Sequence, residues 1–490
     1  MSKFNTKKAT TRTTNLAGGV AFSMNAEQEL LHAVLTTFLE NKFYESGDER
    51  LERIKSLCAQ VSPRYIAQLA LIARTEFNLR TVPVVLLGEL STKSFDKNDV
   101  KDYGSYKLGL LPRAITAVIS RPDELMELVS YLKANDYGLS KQVKRGLRHA
   151  ILKFNGYKLA KYRGENKEFK LVDIFNLVHP NAEFATEEQK KAWGKLIADE
   201  LTTKGQTWES VISASKDQKG DWEALLRENK LGYMALLRNL NNMVKNDISD
   251  EVVDIVCKKL IDPEEVKKSK QLPFRFVTAY DNLKGNRKFK TAISMAMDVA
   301  VGNAPELPGK TLIAIDCSGS MNGGAIQKAA IFGATLAKAN INADVILYDD
   351  KVKEILVSVR MPVIDIAKDI EQKATGGGTN TSLVFEHAIK KTGVYDRFII
   401  ISDNESWQDS ARFGYWGYNG QGTQEAYNKY KTKTGTSPWV YAIDVQGYGT
   451  KDISDSRVIH LAGWSERLLD FINKYEEGTD LVNYIKSVEL

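Results

Sequence analysis

Asp316-Cys317-Ser318-Gly319-Ser320 carries three oxygen donors at alternate positions, directly after the apolar run Thr311 to Ile315. A carboxylate and two hydroxyls on one tight loop at the end of a strand suit a hard divalent cation, which takes oxygen ligands and keeps part of its water shell. Two further stretches can complete such a set. Thr379 follows the triple glycine Gly376-Gly377-Gly378, and Asp403 ends the apolar run Phe398-Ile399-Ile400-Ile401-Ser402. Two carboxylates, three hydroxyls and water fill an octahedron around Mg²⁺ or another divalent cation, with one position open to a partner's acid. The plain alternative is that all five are caps and turn residues, and three separated motifs at strand ends weigh against it.

Catalysis finds less support. Asp403, Glu405 and Asp409 could pose as an acid pair, but nothing beside them organises a nucleophile or a leaving group. The histidines are His32, His149, His179, His387 and His460. Ser318 and Ser320 lack the Gly-x-Ser-x-Gly elbow. Gly376-Gly377-Gly378-Thr379 lacks the lysine of a nucleotide-binding phosphate loop. The expectation is a protein that is not an enzyme.

Loops of this kind need a sheet to hold them. After Pro305 to Gly309, strands are expected at Thr311–Asp316, Ala343–Tyr348, Val352–Val357, Arg397–Ser402, Trp439–Val445 and Val458–Leu461. Helices are expected at Ala325–Asn340, Val363–Gln372, Ser382–Lys391 and Ser465–Tyr475. Continuous apolar strands alternating with helices make a doubly wound α/β sheet, whose ligands sit at the carboxyl ends of its strands. The aromatic, glycine-rich stretch 413–422 reads as a loop with no assigned role.

Upstream, from Ala26 to about Gly302, apolar residues recur at three-and-four spacing rather than in alternation. Examples are Glu27–Tyr44, Pro63–Phe77, Tyr106–Ser120, Glu124–Ala134, Val143–Phe154, Gly232–Val244 and Phe289–Val301. Many short helices with no sheet to cover stack in pairs as a solenoid, and with no strict repeat the degenerate HEAT type fits best. Residues 1–15 are expected to be a disordered basic arm, 16–305 the helical region and 306–490 the α/β domain.

Hydrophobic residues make up 43% and charged residues 27% of the 490, the balance of a soluble globular chain. Three widely spaced cysteines, Cys58, Cys257 and Cys317, argue against a disulfide framework and for a cytoplasmic setting. No apolar stretch approaches the ~18 residues of a membrane span. The net charge is +6, but between Lys141 and Lys170 ten Lys or Arg face two acids, a local +8. A basic surface of that density favours a polyanionic partner; the bland alternative is a solvated helix face. Helical spacing sets Lys141, Lys144, Arg145, Arg148 and His149 along adjacent faces, with Lys153 just beyond.

Several stretches resemble the TROVE module of the Ro autoantigen family, including its bacterial members. They are Asn15 to Gly19, Lys144-Arg145-Gly146-Leu147-Arg148, Leu171 to Pro180, Met234 to Leu240 and Leu272 to Tyr280. The three strand-end motifs are similar to the metal-ion-dependent adhesion site of a von Willebrand factor A domain, the domain that follows TROVE in Ro proteins. The resemblance implies an α solenoid of HEAT-like repeats closed into a ring, followed by that α/β domain. It implies binding of Y-like noncoding RNA on a basic outer surface and of single-stranded ends of misfolded RNA in a central hole. Lys141 to Arg148 and His179 fall where the family contacts RNA, and His149 and Lys153 flank them. The implied setting is a monomer with no membrane partner, joined in bacterial relatives by an exoribonuclease such as polynucleotide phosphorylase. The competing reading is a protein-interaction scaffold whose metal-bearing domain binds an acidic partner and whose basic patch is merely solvated.

Overall fold

The computed structural model describes residues 12–14, 20–35, 47–96, 99–103, 106–202, 207–269, 271–304, 306–358, 360–404, 422–446, 450–455, 457–462, 472, 476 and 481–490. The stretch 413–421, Glu405, Asp409, residues 1–11 and nearly all of the expected helix 465–475 lie outside that range. The chain forms two compact units that cut across the sequence boundary near residue 305. One comprises residues 26–40, 47–214 and 479–490; the other comprises 1–25, 41–46 and 215–478.

The first unit is helical, and its helix starts follow local chemistry. Ser62 precedes Pro63 and its hydroxyl accepts the Tyr65 N–H at 3.2 Å, so the helix Pro63–Thr75 begins with a satisfied donor and a proline that wastes none. At Pro122–Ala134 the Glu124 carboxylate turns back to accept from the N–H groups of Ser120 and Arg121. The helix Lys141–Ile151 is capped by Ser140, whose hydroxyl accepts the Val143 N–H at 3.2 Å. It packs on the helix Leu110–Val118 through Gly146, where a Cβ would stand 2.8 Å from that of Ile115, so only glycine permits the approach. The last helix, Leu481–Ser487, docks on Pro63–Thr75. Buried Gln68 donates to the carbonyls of Lys486 and Val488 at 2.8 Å each, and Tyr484 donates to Glu76 at 2.7 Å.

Two strand pairs depart from the purely helical expectation. β1 (Arg12–Thr14) pairs with β2 (Val20–Ser23), so the end of the expected disordered arm is a strand. β3 (Val100–Tyr103) and β4 (Tyr106–Gly109) form an antiparallel hairpin, and the helix expected over Tyr106–Ser120 starts only at Leu110. The segment expected as one helix from Gly232 to Val244 breaks at Asn239 into Tyr233–Arg238 and Leu240–Lys245.

The second unit holds β5 (Thr311–Asp316), β6 (Ala343–Tyr348), β7 (Val352–Ile355), β8 (Arg397–Ser402), β9 (Trp439–Asp444), β10 (Thr450–Lys451) and β11 (Val458–Ala462). Six of them form one sheet in the order β11-β9-β8-β5-β6-β7, parallel except for the edge strand β7. β10 instead joins β2 in the small sheet with β1. Every residue of β5 and β8 is buried, which is why both read as unbroken apolar runs. One face, through Leu312, Ala314, Phe398 and Ile400, packs on the helices Ser382–Lys390 and Thr423–Thr434. The other face meets the helix Gly324–Ala339, where a Cβ on Gly333 would press within 2.5 Å of Ile315. The helix Arg287–Ala300 belongs to this same unit: Asp298 accepts from the Lys338 ammonium at 2.5 Å and from the Val363 N–H at 3.0 Å. Among the described residues no helix is long and apolar enough to cross a membrane.

Candidate functional site

The carboxyl ends of β5, β6 and β8 gather the strand-end acids. Asp316 is fully buried; its Oδ1 accepts the Ser318 N–H at 2.8 Å and its Oδ2 accepts the Ser402 hydroxyl at 2.6 Å. The Ser318 and Ser320 hydroxyl oxygens lie 3.4 Å apart. The triple-glycine loop is sewn to this loop by two main-chain bonds of 2.9 Å, Gly319 N–H to the Gly377 carbonyl and Gly376 N–H to the Cys317 carbonyl. Thr379 is 2% exposed and Asp403 is fully buried directly after Ser402. All five predicted donors are thus buried, and three of them share one hydrogen-bonded loop. Burial raises the Asp316 carboxyl to about 6, with the nearby Asp349 charge adding to the rise. Carboxylates held out of water in this way need a compensating positive charge. Among the described residues no group of three or more His, Cys, Asp or Glu could hold a metal. The five predicted donors are hydroxyls and carboxylates, oxygen atoms that suit a hard cation rather than a soft one.

Two residues that the sequence reading passed over hold the loops in place. Ser402 fixes one Asp316 oxygen. Asp349, at the end of β6 and 3% exposed, accepts from the Thr375 hydroxyl, from the Lys351 N–H at 2.9 Å and from the Gly377 N–H at 3.4 Å, while its carbonyl accepts the Asn380 N–H at 3.0 Å. Although burial works against its charge, those hydrogen bonds hold the Asp349 carboxyl below its usual range. The signal was present, since Tyr348-Asp349 ends an apolar strand with an acid as Ile315-Asp316 does.

The basic helix builds a different site within the other unit. Val143, Leu147 and Ile151 are fully buried, which turns Lys141, Lys144, Arg145 and Arg148 outward. These four, with His149, Leu152 and Asn181, line a cavity of about 480 Å³. Among the described residues no carboxylate pairs with any of the four cations. Three cations in the downstream part of the basic window are paired instead: Lys161 with Glu209, Arg163 with Asp199 and Lys167 with Glu127. Burial lowers the pKa of His149, and the Arg145 and Arg148 charges lower it further, so its ring is neutral at pH 7. Arg148 Nε donates to the Val178 carbonyl at 2.8 Å and closes the end of the helix Leu171–Val178. His179, left-handed at φ 48° and exposed, follows Val178 directly but is not among the residues that line the cavity. Asn181, which the sequence did not single out, reaches the lining from the same turn.

Lys153 does not line the cavity. Its ammonium donates to the carbonyls of Thr116 and Ile119 and caps the end of the helix Leu110–Val118. Lys153→Met should lower the unfolding free energy by about 1.5–3 kcal/mol, as a lost charged hydrogen bond does, in urea titrations followed by tryptophan fluorescence.

Comparison with known proteins gives matches to both regions. A TROVE domain model matches residues 200–299 and a Ro60 vWA domain model matches residues 310–476. The chain is 24% identical over 326 residues to RNA-binding protein RO60 of Caenorhabditis elegans, covering 62% of this chain and 48% of that protein. It is 38% identical over 78 residues to Telomerase protein component 1 of Rattus norvegicus, covering 16% of this chain and 3% of that protein. The chain therefore spans about half the length of the worm relative and a small part of the rat one. Its fold resembles the crystal structure of Deinococcus radiodurans RO (RSR) protein with a TM-score of 0.61 at 16% identity, over 92% of this chain and 100% of that one.

Proposed function

We propose that this chain, which belongs to the Ro family, is an RNA-binding protein whose ligand is a noncoding RNA held by its phosphates in the cavity of Lys141, Lys144, Arg145 and Arg148. One observation carries the reading: four cations without a carboxylate partner among the described residues converge on one cavity, while three cations farther along the same window are paired with carboxylates. Like charges brought together repel one another and gain from a polyanion that replaces its counterions with them. A Y-like RNA, or a misfolded RNA with a single-stranded end, offers phosphates in the required density, and an exoribonuclease such as polynucleotide phosphorylase would act on what is held. The role is binding within RNA quality control rather than catalysis, in the cytoplasm.

The test is to purify the protein from its own cells, sequence the RNA that accompanies it, and measure that RNA by filter binding across salt concentrations. Four phosphate contacts give a log–log slope of about −3. A slope near zero, or co-purifying RNA no different from total RNA, would sink the reading and favour a protein-interaction scaffold.

Asp316, Ser318, Ser320, Thr379 and Asp403 would hold Mg²⁺ or a similar cation. When bound, the ion supplies a Lewis-acidic position for a partner's carboxylate. Asp316, Ser318 and Ser320 are already oriented by Ser402 and by their own loop, and Asp349 steadies the loop that carries Thr379. The folded pKa of Asp316 is raised, so ionisation costs folded stability. The cost is absent below its ordinary value of 3.8 and grows as pH rises through about 6. Asp316→Asn should therefore melt no lower than the parent without metal at pH 7. It should also lose the Mg²⁺-dependent gain, which for the parent is about 2.7 kcal/mol at a hundredfold excess over Kd. Equal Mg²⁺ stabilisation of both proteins in thermal scans would remove Asp316 from the site.

A further inference from the structure

A second cavity, of about 360 Å³, lies beside the basic one in the same helical unit. Tyr137, Leu139, Phe169 and Leu177 wall it, and Lys133 and Asp173 stand at its polar edge. The two cavities have no lining residue in common, but the same two stretches of chain contribute to both. Leu139 lines the apolar one and Lys141 the basic one, two residues apart and so at most about 7 Å along the chain. On the other side Leu177 lines the apolar cavity and Asn181 the basic one, and between them the Val178 carbonyl is tied to Arg148.

We propose that this apolar cavity receives an unstacked nucleobase of single-stranded RNA whose phosphate sits in the adjoining basic cavity. The inference rests on the RNA-binding reading above and adds to it where the base goes. An occupant of both has to join a flat apolar group to an anionic one, because the apolar cavity and the cluster of four cations are lined by neighbouring residues of the same two stretches of chain. A nucleotide lifted out of its stack has that shape and charge, and stacking of bases on aromatic side chains is how single strands are held without a sequence code. The volume lies within the range of small-ligand pockets.

The aromatic walls are prepared for the task. Tyr137 is held by its hydroxyl, which donates to Glu89 at 3.1 Å, and by an edge-to-face contact with Tyr131 at 6.3 Å. Its ring is thereby fixed before any ligand arrives. The Lys133 ammonium stands 4.9 Å from the Phe169 ring centre, with Glu168 at 2.9 Å; both charged side chains are mostly exposed and can swing aside at little cost. Asp173 uses one oxygen to accept the Lys170 N–H at 2.8 Å and keeps the other for the hydrogen-bonding edge of a base.

The full chain, a single-stranded oligoribonucleotide carrying one 2-aminopurine, and the half-buried Phe169 exchanged for alanine test the proposal. The 2-aminopurine signal of the unaltered protein's complex should be quenched as the base stacks. Phe169→Ala should bind the oligonucleotide about tenfold more weakly with the salt slope unchanged, and an oligonucleotide with abasic sites throughout should bind both proteins equally. Steep salt-dependent binding with no quenching, and equal affinity for parent and variant, would overturn the base pocket while leaving the RNA reading intact. Absence of salt-dependent RNA binding would overturn both. The fluorescence measurement on the unaltered protein decides the matter even if the alanine variant fails to fold.

Discussion

Lys144→Ala/Arg145→Ala protein binds its RNA about a hundredfold more weakly than the parent and with a log–log salt slope shallower by about 1.5. Each lost charge-assisted contact is worth at least about 1.5 kcal/mol, a factor of ten or so, and each phosphate no longer neutralised removes about 0.7 to 0.9 from the slope. The pair is chosen because these side chains line the cavity without serving the fold. Arg148 is left in place, since its guanidinium also closes the Leu171–Val178 helix and its loss would mix packing with recognition. Filter binding at four or more salt concentrations, with thermal unfolding as control, gives both numbers. Parent-like affinity and slope in a folded double variant would move the RNA elsewhere on the protein.

Glu476→Ala lowers the unfolding free energy of the α/β unit by about 3 kcal/mol. Arg397, 2% exposed at the start of β8, holds Glu476 in a two-pronged pair of 2.7 and 2.8 Å and donates its third arm to the Thr311 hydroxyl at 3.0 Å. Removal of the carboxylate strands a guanidinium between β5 and β8, and the cost is that of a buried charge left uncompensated rather than of a lost contact. Arg397→Met/Glu476→Ala should recover most of the loss, because no charge then remains to be buried. Urea denaturation followed by tryptophan fluorescence separates the two outcomes. A double variant as unstable as the single one would show that the pair acts through shape instead.

The central strands and the donor motifs were legible because their residues carry the signal locally. β5, β8 and β9 are apolar runs that end in acids, and the hydroxyl spacing after Asp316 needs no tertiary contact to be noticed. What escaped notice depends on contacts far along the chain. The helix Thr423–Thr434 has only Ala426, Tyr427 and Tyr430 to bury beyond its first residue, too few for its polar sequence to show a stripe. β4 was absorbed into a helix because the apolar spacing of Leu110 to Val118 runs back into Leu108, and without it β3 had no visible partner. β2 pairs with Thr450 and Lys451 across more than 400 residues, a register that no local pattern encodes. In the basic window the charges could be counted but their directions could not. Lys153 turned to a helix end, and Lys161, Arg163 and Lys167 turned to carboxylates, so the cavity emerged only from where the remaining cations point.

Gln68, Glu76 and Glu27 all wait for partners beyond residue 483. As the chain leaves the ribosome, the helical unit has its early members within the first half of synthesis but cannot bury the docking face of Pro63–Thr75 until the final helix is released. That face is covered only once Leu481–Ser487 has emerged, so the helical unit closes late in synthesis. Without Leu481–Ser487 and the residues just after it, Gln68 would lose both carbonyls it donates to and Glu76 its tyrosine, leaving polar groups bare on the docking face of Pro63–Thr75.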